Sequence, residues 1–241
     1  MPPLVYLCVR PQLDAADGEY ASFRAAMQVG EGELERWDLV DEPLPGDAFS
    51  RWRGFVVGGS PFNTTEPAAG KPAEQVRIEA GLAAVAEAAA AGETTALFTC
   101  FGIGVATRAL GGEVTLAHPE GTGPTGIRLT DEGRRDRLFG GLQAEFSALT
   151  AHKEATSRLP GRAVLLATND ECPVQAYRVG DRLYATQFHP EPTGVAFTER
   201  MTIYRNHGYF DADAYDEVAA TVLAADLTEP QRLLREFARL F

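Results

Sequence analysis

The sequence is poor in basic residues compared with acidic ones. Lys and Arg together number 22 against 34 Asp and Glu, which gives a formal net charge of -12 at pH 7 over 241 residues. A surface with this excess of negative charge repels nucleic-acid phosphates and anionic lipid headgroups. We therefore expect neither nucleic acid nor a membrane as a partner.

Long apolar runs and a cationic leader are lacking as well. No apolar stretch approaches the roughly 20 residues that a membrane span needs. The amino-terminal segment MPPLVYLCVRPQ has no basic residues before its short apolar run. These features predict a soluble, cytoplasmic protein, and the 45% content of hydrophobic residues is enough to build a full core.

Cysteine is scarce and irregularly spaced. The three cysteines, Cys8, Cys100 and Cys172, have no metal-ligand spacing, and their odd number argues against a disulfide framework. We expect no metal and no organic cofactor. Each cysteine has to be judged as a thiol.

What the sequence does contain is an alternation of short apolar runs with helical patterns, which is typical of a mostly parallel sheet covered on both faces. LVYLCV (4–9) predicts the first strand, and GFVVGGS (54–60) a later one that ends in glycines. A helix is predicted in PAEQVRIEAGLAAVAEAAAAG (72–92), with Val76, Leu82 and Val85 on one face and Gly92 as its C-terminal stop. From about 113 to 190 the pattern changes to β-hairpins. We predict an α/β domain over 1–195 and a helical extension over 196–241 packed on it.

The segment TTALFTCFGIGVATRALGG (94–112) places a thiol between a predicted strand and a predicted helix. A nucleophile on such a turn is lifted above the sheet edge, and nearby glycine allows the tight bend. The helix N-terminus favours the thiolate of Cys100, and the N–H of Phe101 would face an oxyanion. The segment fits a buried core cysteine equally well.

A second segment, LYATQFHPEPTG, places His189 and Glu191 just past a strand. Two positions apart in an extended chain, their side chains leave the same face. A thiol nucleophile needs a base, and the base needs a group that fixes its tautomer. Cys100, His189 and Glu191 supply these three roles.

These segments resemble the class I glutamine amidotransferases, the triad type related to the glutaminase domain of GMP synthase. FTCFGIG partly meets the family's GxCxGxQ motif, and QFHPE at 187–191 is present in full. VVGGSPFNTT is similar to the family's oxyanion loop, with Gly59 and Ser60 at the matching place. FSALTAHKEATSRLP resembles the strand and turn before the triad, with His152 in the matching position.

The resemblance implies a flavodoxin-like, three-layer α/β sandwich and hydrolysis of the glutamine side-chain amide to glutamate and ammonia through a thioester. It implies Gly59 or Ser60 as oxyanion donors beside Phe101, and His152 and position 104 as substrate contacts. The family has Gln where this chain has Gly104, and glycine where it has Phe98.

Two alternatives follow from these departures. The enzyme could hydrolyse a γ-glutamyl amide or another small amide, or the chain could be a non-catalytic regulatory or binding subunit in which Phe98 distorts the turn. The ammonia acceptor would belong to a separate synthase subunit, and the apolar stripes of the C-terminal helices could also form a homodimer.

Overall fold

The first half of the chain alternates strands and helices, as its residue pattern predicts. The structure, a computed structural model, describes residues 1–30 and 32–241. Its elements up to residue 109 are β1 (Leu4–Cys8), α1 (Leu13–Met27), β2 (Leu34–Asp38), α2 (Ala48–Arg51), β3 (Gly54–Val57), α3 (Ala73–Ala91), β4 (Ala96–Thr99) and α4 (Phe101–Ala109). β1, β3 and β4 are buried at every position, because helices cover both faces of the sheet.

The second half is richer in hairpins and ends in helices. Its elements are β5 (Glu113–Thr115), β6 (Glu120–Leu129), α5 (Asp131–Arg135), β7 (Glu145–His152), β8 (Ala155–Arg158), β9 (Ala163–Thr168), β10 (Ala176–Val179), β11 (Leu183–Thr186), α6 (Gly194–Ile203), α7 (Tyr215–Ala224) and α8 (Thr228–Leu240). The predicted change from crossover units to hairpins near residue 113 is thus observed.

One mixed sheet organises the molecule. Among the described residues it has nine strands in the order β2-β1-β3-β4-β11-β10-β9-β6-β7. The strands from β2 to β11 pair in parallel, and those from β11 to β7 pair antiparallel. The carboxyl ends of β1, β3, β4 and β11 therefore meet at one edge, which is where open α/β sheets bind ligands. The predicted flavodoxin-like α/β sandwich is confirmed.

Alternate residues of the strands face two separate cores. Leu4 and Tyr6 of β1 pack with Phe23 of α1 and with Leu233 and Phe237 of α8. On the other face, Val5 and Leu7 pack with residues of β3, α3 and β4, among them Phe55, Ile78, Leu82 and Phe98. Each face of the sheet is covered by helices, so the strands are held rigidly at the edge that carries the site.

Phe98 is fully buried in the second core. The bulky ring is accommodated because residue 102 is a glycine. A Cβ on Gly102 would come within 3.0 Å of Val57 Cγ1 and 3.3 Å of Phe98 Cβ.

One predicted helix face is wrong at its first residue. Leu82 and Val85 of α3 are fully buried, but Val76 is 51% exposed, and Ile78 takes its place. Ile78, Leu82 and Val85 follow the spacing of four and three residues that makes one helix face, whereas Val76 lies about 120° away from Leu82.

The C-terminal segment packs closely on the rest of the chain. Leu233, Leu234 and Phe237 of α8 are fully buried in the first core. The division at residue 195 stays a prediction. Within residues 1–30 and 32–241, no helix combines the length and the apolar character that crossing a bilayer requires.

Candidate active site

Cys100 lies on a strained turn between β4 and α4. Its backbone has φ 50° and ψ -106°, and Gln28 is the other non-glycine residue with positive φ in the described part of the chain. Such a conformation costs about 1–3 kcal/mol and persists where the surroundings enforce it. The Cys100 N–H donates to Thr186 O at 2.9 Å, which ties the turn to β11. The Cys100 side chain is placed at the carboxyl edge of the sheet.

His189 and Glu191 follow β11 and form a buried pair. His189 Nδ1 lies 3.1 Å from Glu191 Oε1, and the His189 N–H donates to Leu149 O at 2.8 Å. With Nδ1–H donating to the carboxylate, Nε2 is the free nitrogen, and His189 lines the same cavity as Cys100. The structure therefore brings the three predicted catalytic residues together.

The charged groups of this cluster stabilise one another's ionised forms. Burial disfavours the charged imidazolium form of His189. The charges of Glu191 and Cys100 and their hydrogen bonds to the ring have a larger opposite effect, and they raise the pKa of His189 to about 9. Burial also opposes ionisation of Glu191, yet His189 and Arg200 lower the pKa of this carboxyl well below its usual value. His189 is therefore positively charged and Glu191 negatively charged near neutral pH.

A second layer of buried charges, which the sequence pattern did not reveal, supports the pair. Arg200 Nη1 on α6 donates to Glu191 Oε1 at 2.8 Å and lies 3.4 Å from Glu19 Oε1. Arg10, just after β1, donates to the same Glu19 oxygen at 2.8 Å. Tyr6 donates to the other oxygen at 2.6 Å. Two carboxylates and two guanidinium groups thus alternate beneath the site, and all four side chains are at least nine-tenths buried.

The glycine-rich loop after β3 reaches this charge cluster. The Gly59 N–H donates to Glu19 Oε1 at 3.2 Å, so it is committed to a protein carboxylate. A Cβ on Gly59 would lie 2.7 Å from His189 Cε1 and from Arg10 Nη2. Gly59 therefore provides space beside the imidazole.

Two other backbone donors of the predicted oxyanion site remain open. Ser60 Oγ donates to Val9 O at 2.7 Å, which fixes the loop. The backbone N–H groups of Ser60 and Phe101 have no hydrogen-bond partner within residues 1–30 and 32–241. Phe101 is the first residue of α4, whose N-terminus favours negative charge.

A polar pocket, which we call the Glu154 pocket, borders Cys100. It is lined by Ser60, Phe62, Asn63, Cys100, Phe101, Ala151, His152, Lys153, Glu154, Gln187 and Tyr209. The carboxylate of Glu154 accepts from Thr64 N at 2.7 Å and Thr65 N at 2.9 Å. Gln187 is 1% exposed, and its Oε1 has no partner in the described part of the chain.

Gly104 lies behind this lining and not in it. A Cβ there would meet Glu154 Oε1 and Thr64 Oγ1 at 3.3 Å each. The space next to a side chain at position 104 is thus taken by the Glu154 carboxylate.

Four charged residues of the site were not found from the sequence: Arg10, Glu19, Arg200 and Glu154. The one available signal was a charged residue directly after a predicted buried parallel strand, as at Arg10.

His152 lines the Glu154 pocket, but both its ring nitrogens are engaged. Nε2 lies 2.8 Å from Glu120 Oε2, and Nδ1 lies 3.1 Å from Glu154 O. Glu120 also accepts from Thr125, Asn169 and Gln175. Glu120, His152 and Cys172 come close enough to hold a metal ion. Both Glu120 oxygens are already engaged, however, by His152, Thr125, Asn169 and Gln175. The expected lack of a metal stays a prediction.

A second, more apolar cavity, which we call the His189 cavity, also borders Cys100. Its lining comes from the cysteine turn, from β7 and above all from α6 and the segment after it: Arg10, Ser60, Cys100, Thr122, Ala151, His189, Phe197, Arg200, Met201, Tyr204, Tyr209 and Phe210. Cys8 and Cys172 line neither hollow. Burial raises the pKa of each of these two thiols to about 12.

Comparison with known proteins places this geometry in a family context. The family model described as glutamine amidotransferase class-I matches residues 53–209. γ-Glutamyl peptidase 3 of Arabidopsis thaliana is 27% identical over 210 residues, which are 84% of this chain and 80% of the peptidase. One subunit of the glutamine-hydrolysing GMP synthase of Methanothermobacter thermautotrophicus is 35% identical over 100 residues, covering 41% of this chain. That match spans about half of the synthase subunit, 52% of its length.

Solved structures agree with the fold. A glutamine amidotransferase from Methylobacillus flagellatus superposes with a TM-score of 0.74, covering 99% of this chain and 92% of the other. The two sequences are 20% identical, so this likeness concerns the fold alone.

Proposed function

Because the chain belongs to the class I glutamine amidotransferase family, we propose that Cys100, His189 and Glu191 hydrolyse the side-chain amide of glutamine to glutamate and ammonia. The family match and the relatives confirm the predicted resemblance and the predicted class of enzyme, a cysteine-dependent amide hydrolase. The roles of individual residues are the proposal. The observation that carries it is the placement of Cys100, on a strained turn, in one cavity with the buried His189–Glu191 pair.

The first chemical step is attack by the Cys100 sulfur on the amide carbon. His189 holds the thiol proton as an imidazolium, which its raised pKa of about 9 favours at neutral pH. Glu191 accepts the Nδ1–H and keeps Nε2 directed toward the reacting atoms. The sulfur forms a bond to carbon, and the carbonyl oxygen becomes an oxyanion.

The oxyanion is held by the open backbone donors of Ser60 and Phe101. Both N–H groups are free of protein partners in the part of the chain that the structure describes. One such donor is typically worth about 100- to 1000-fold in kcat. Gly59, whose N–H is taken by Glu19, serves instead to let His189 approach the loop.

Collapse of the intermediate releases the amine. His189 gives its proton to the leaving nitrogen, the C–N bond breaks, and a γ-glutamyl thioester remains on Cys100. Water then attacks the thioester while His189 accepts a proton from it, and glutamate leaves as the thiol is restored. Neither step requires a metal or an organic cofactor.

The Glu154 pocket suits the amino-acid end of glutamine. Glu154 offers a carboxylate to an ammonium group, and Lys153 offers a cation to a carboxylate, on adjacent residues of the lining. The unpartnered Oε1 of Gln187 is a further acceptor. Glu154 would thus take over the contact that the family's Gln makes from position 104.

A glutaminase assay of the purified chain, with Cys100→Ala as control, tests this proposal. We expect glutamate and ammonia in equal amounts from the wild-type chain and none from the variant. Glutaramic acid, which lacks the α-amino group, should show a kcat/KM about 10- to 100-fold lower, since a hydrogen bond to a charged group contributes about 1.5–3 kcal/mol. Absence of amide hydrolysis by the wild-type chain, or activity that survives Cys100→Ala, overturns the proposal.

A separate synthase subunit or a homodimer stays a prediction, as does the cytoplasmic location. The matched GMP synthase protein is, by its name, one subunit of an enzyme. For this chain we propose that the substrate is a small-molecule amide and that the ammonia passes to a partner subunit. Light scattering of the purified chain distinguishes a homodimer from a monomer, and co-purification from its source identifies a partner subunit.

A further inference from the structure

The space beside Cys100 is too small for glutamine. Cys100 is 8% exposed, and the His189 cavity and the Glu154 pocket have volumes of about 40 and 20 Å³. One water needs roughly 10–15 Å³ on this measure, so the two hollows together hold about four to six waters, whereas glutamine has about ten non-hydrogen atoms. Part of the wall must therefore move before the substrate reaches the sulfur.

One stretch of this wall is held weakly. Tyr209 lines both hollows and Phe210 lines the His189 cavity, and both belong to the segment 205–210 after α6, which we call the strap. Its first four residues are exposed, and within the described residues its backbone-to-backbone hydrogen bonds reach no farther than Tyr204. Segments with exposed backbone and few buried contacts open at a low cost in free energy.

Side-chain hydrogen bonds connect the strap to the elements around the site. Lys153 Nζ, in the turn between β7 and β8, donates to His207 O at 3.2 Å. Thr122 Oγ1 of β6 donates to Tyr209 O at 3.1 Å. The Tyr209 hydroxyl donates to Pro61 O at 3.4 Å, in the glycine-rich loop after β3. Loss of a few such bonds is enough to free the strap.

Gly208 allows the strap to take its closed conformation. Its φ is 72°, in the left-handed region, which a side chain disfavours about 5- to 30-fold. A Cβ there would come no closer than 3.7 Å to its nearest neighbour, Lys153 Nζ. Gly208→Ala therefore destabilises the closed strap through the backbone conformation and introduces no clash.

We propose that the strap is a gate to Cys100 that has to open before glutamine binds, and that the Tyr209 hydroxyl is the latch that holds it closed. This inference rests on the proposed function, because it concerns access of that substrate to the same thiol. Glutamine itself favours opening, since its carboxylate competes with His207 O for the ammonium group of Lys153. Tyr209 is a positioning residue: it sets the fraction of the chain that can bind substrate.

Alkylation of Cys100 measures opening without any turnover. N-Ethylmaleimide, a thiol reagent of about the size of glutamine, is added in limiting amount, and the Cys100 peptide is followed by mass spectrometry. We expect the rate to rise about fivefold or more in Gly208→Ala. In Tyr209→Phe, which lacks only the hydroxyl, we expect a rise of about two- to tenfold, the usual effect of one hydrogen bond.

Gly92→Ala is the matched control for the change at Gly208. Gly92 also has a left-handed φ, of 85°, and a Cβ there would meet nothing within 4 Å. It ends α3 and lines neither hollow. Gly92→Ala thus introduces a similar backbone strain away from the strap, and its alkylation rate should equal that of the wild-type chain.

Steady-state kinetics on glutamine provide the second measurement. Because the substrate binds only to the open state, KM in Gly208→Ala and Tyr209→Phe should fall by the factor by which the alkylation rate rises, with kcat unchanged. Lys153→Met should instead raise both quantities. Alkylation becomes about two- to tenfold faster because the strap loses a hydrogen bond, and KM rises about fivefold or more because the substrate carboxylate loses its cation.

The outcomes separate the gate from the glutaminase activity. If Gly208→Ala and Tyr209→Phe alkylate at the wild-type rate while glutamine is hydrolysed, the gate is overturned and the glutaminase stands. If alkylation becomes faster in both but no variant hydrolyses glutamine, the strap controls access to Cys100 and the proposed function fails. Faster alkylation with an unchanged KM in both variants, or an equal rise in Gly92→Ala, overturns the gate.

Discussion

Arg200 Nη1 donates a 2.8 Å hydrogen bond to Oε1 of Glu191, the same oxygen that lies 3.1 Å from His189 Nδ1. One carboxylate oxygen thus joins the general base to a buried guanidinium. Because Arg200 also lies 3.4 Å from Glu19, it compensates two buried negative charges at once. Arg200 is therefore a positioning residue that keeps Glu191 ionised and oriented.

Replacement of Arg200 should affect the pH profile as well as the rate. In Arg200→Met the pKa of Glu191 should rise, because one of the two cations that lower it is gone. We expect a lower kcat and an acid limb of kcat/KM that moves to higher pH, measured from pH 4 to 8. Arg200→Lys should restore part of the lost kcat and move the acid limb part of the way back to lower pH.

Arg239→Met is the control for loss of an arginine, since Arg239 pairs with Glu236 in an exposed position on α8. Arg239→Met should leave the pH dependence of kcat/KM unchanged. An acid limb that is the same in Arg200→Met and wild type contradicts the role given to Arg200.

The raised pKa of His189 predicts a loss of stability in alkaline solution. A folded-state pKa of about 9 against the usual 6.5 means that the imidazolium stabilises the fold fully below pH 6.5 and less as the pH rises through 9. The shift corresponds to an upper value of about 3 kcal/mol in the free energy of unfolding.

Urea unfolding at pH 6 and pH 9.5 measures this loss, and His189→Gln removes the titrating group while keeping a similar shape. We expect a smaller decrease in the variant than in the wild-type chain. Equal decreases in the free energy of unfolding of the two proteins mean that other groups titrate and that the pKa of His189 is not raised.

Gly59 is predicted to be intolerant of a side chain. A Cβ there would lie 2.7 Å from His189 Cε1 and from Arg10 Nη2, so Gly59→Ala must displace the imidazole or the loop. We expect kcat on glutamine to fall at least tenfold, since misplacement of about 1 Å can cost about 100-fold. Gly46→Ala, where a Cβ meets nothing within 4 Å, is the matched control. Normal turnover by Gly59→Ala would show that His189 is not held against this loop during catalysis.

Restoring the family's residue at position 104 should impair the enzyme. The long side chain in Gly104→Gln would displace the Glu154 carboxylate from the amides of Thr64 and Thr65. We expect KM for glutamine to rise about tenfold or more, as loss of a charged hydrogen bond costs about 1.5–3 kcal/mol. Gly18→Gln, at an exposed and open position on α1, controls for the added side chain. A lower KM in Gly104→Gln contradicts the role of Glu154 and favours a direct contact from position 104.

The strand-to-helix turn and the residues after β11 could be predicted because their signals are local. An apolar run, a glycine and a helical pattern surround Cys100, and the spacing of His189 and Glu191 places them on one face. The strand order around these segments, with β11 beside β4, brings the two together.

The buried charges could not be predicted in the same way. Glu19 lies on α1, where an acidic residue ordinarily faces solvent, and its burial depends on contacts distant in sequence. Gly58 leaves room for its carboxylate, because a Cβ there would collide with Glu19 Oε2 and Tyr6. Arg200 reaches Glu191 from α6, in the segment that the sequence assigned to the helical extension. Such relationships depend on three-dimensional packing, which a linear pattern does not encode.

The most direct test of the account is to trap the thioester. The wild-type chain is mixed with L-glutamine, quenched in acid within the first turnovers, digested and analysed by mass spectrometry, with Cys100→Ser as control. We predict a γ-glutamyl group on the peptide that contains Cys100, absent without substrate and absent from the peptides of Cys8 and Cys172, whose buried thiols have pKa values raised to about 12. A γ-glutamyl group on Cys8 or Cys172, or glutamate released with no acylated Cys100 in the quenched wild-type chain while Cys100→Ser remains as active, would contradict the account.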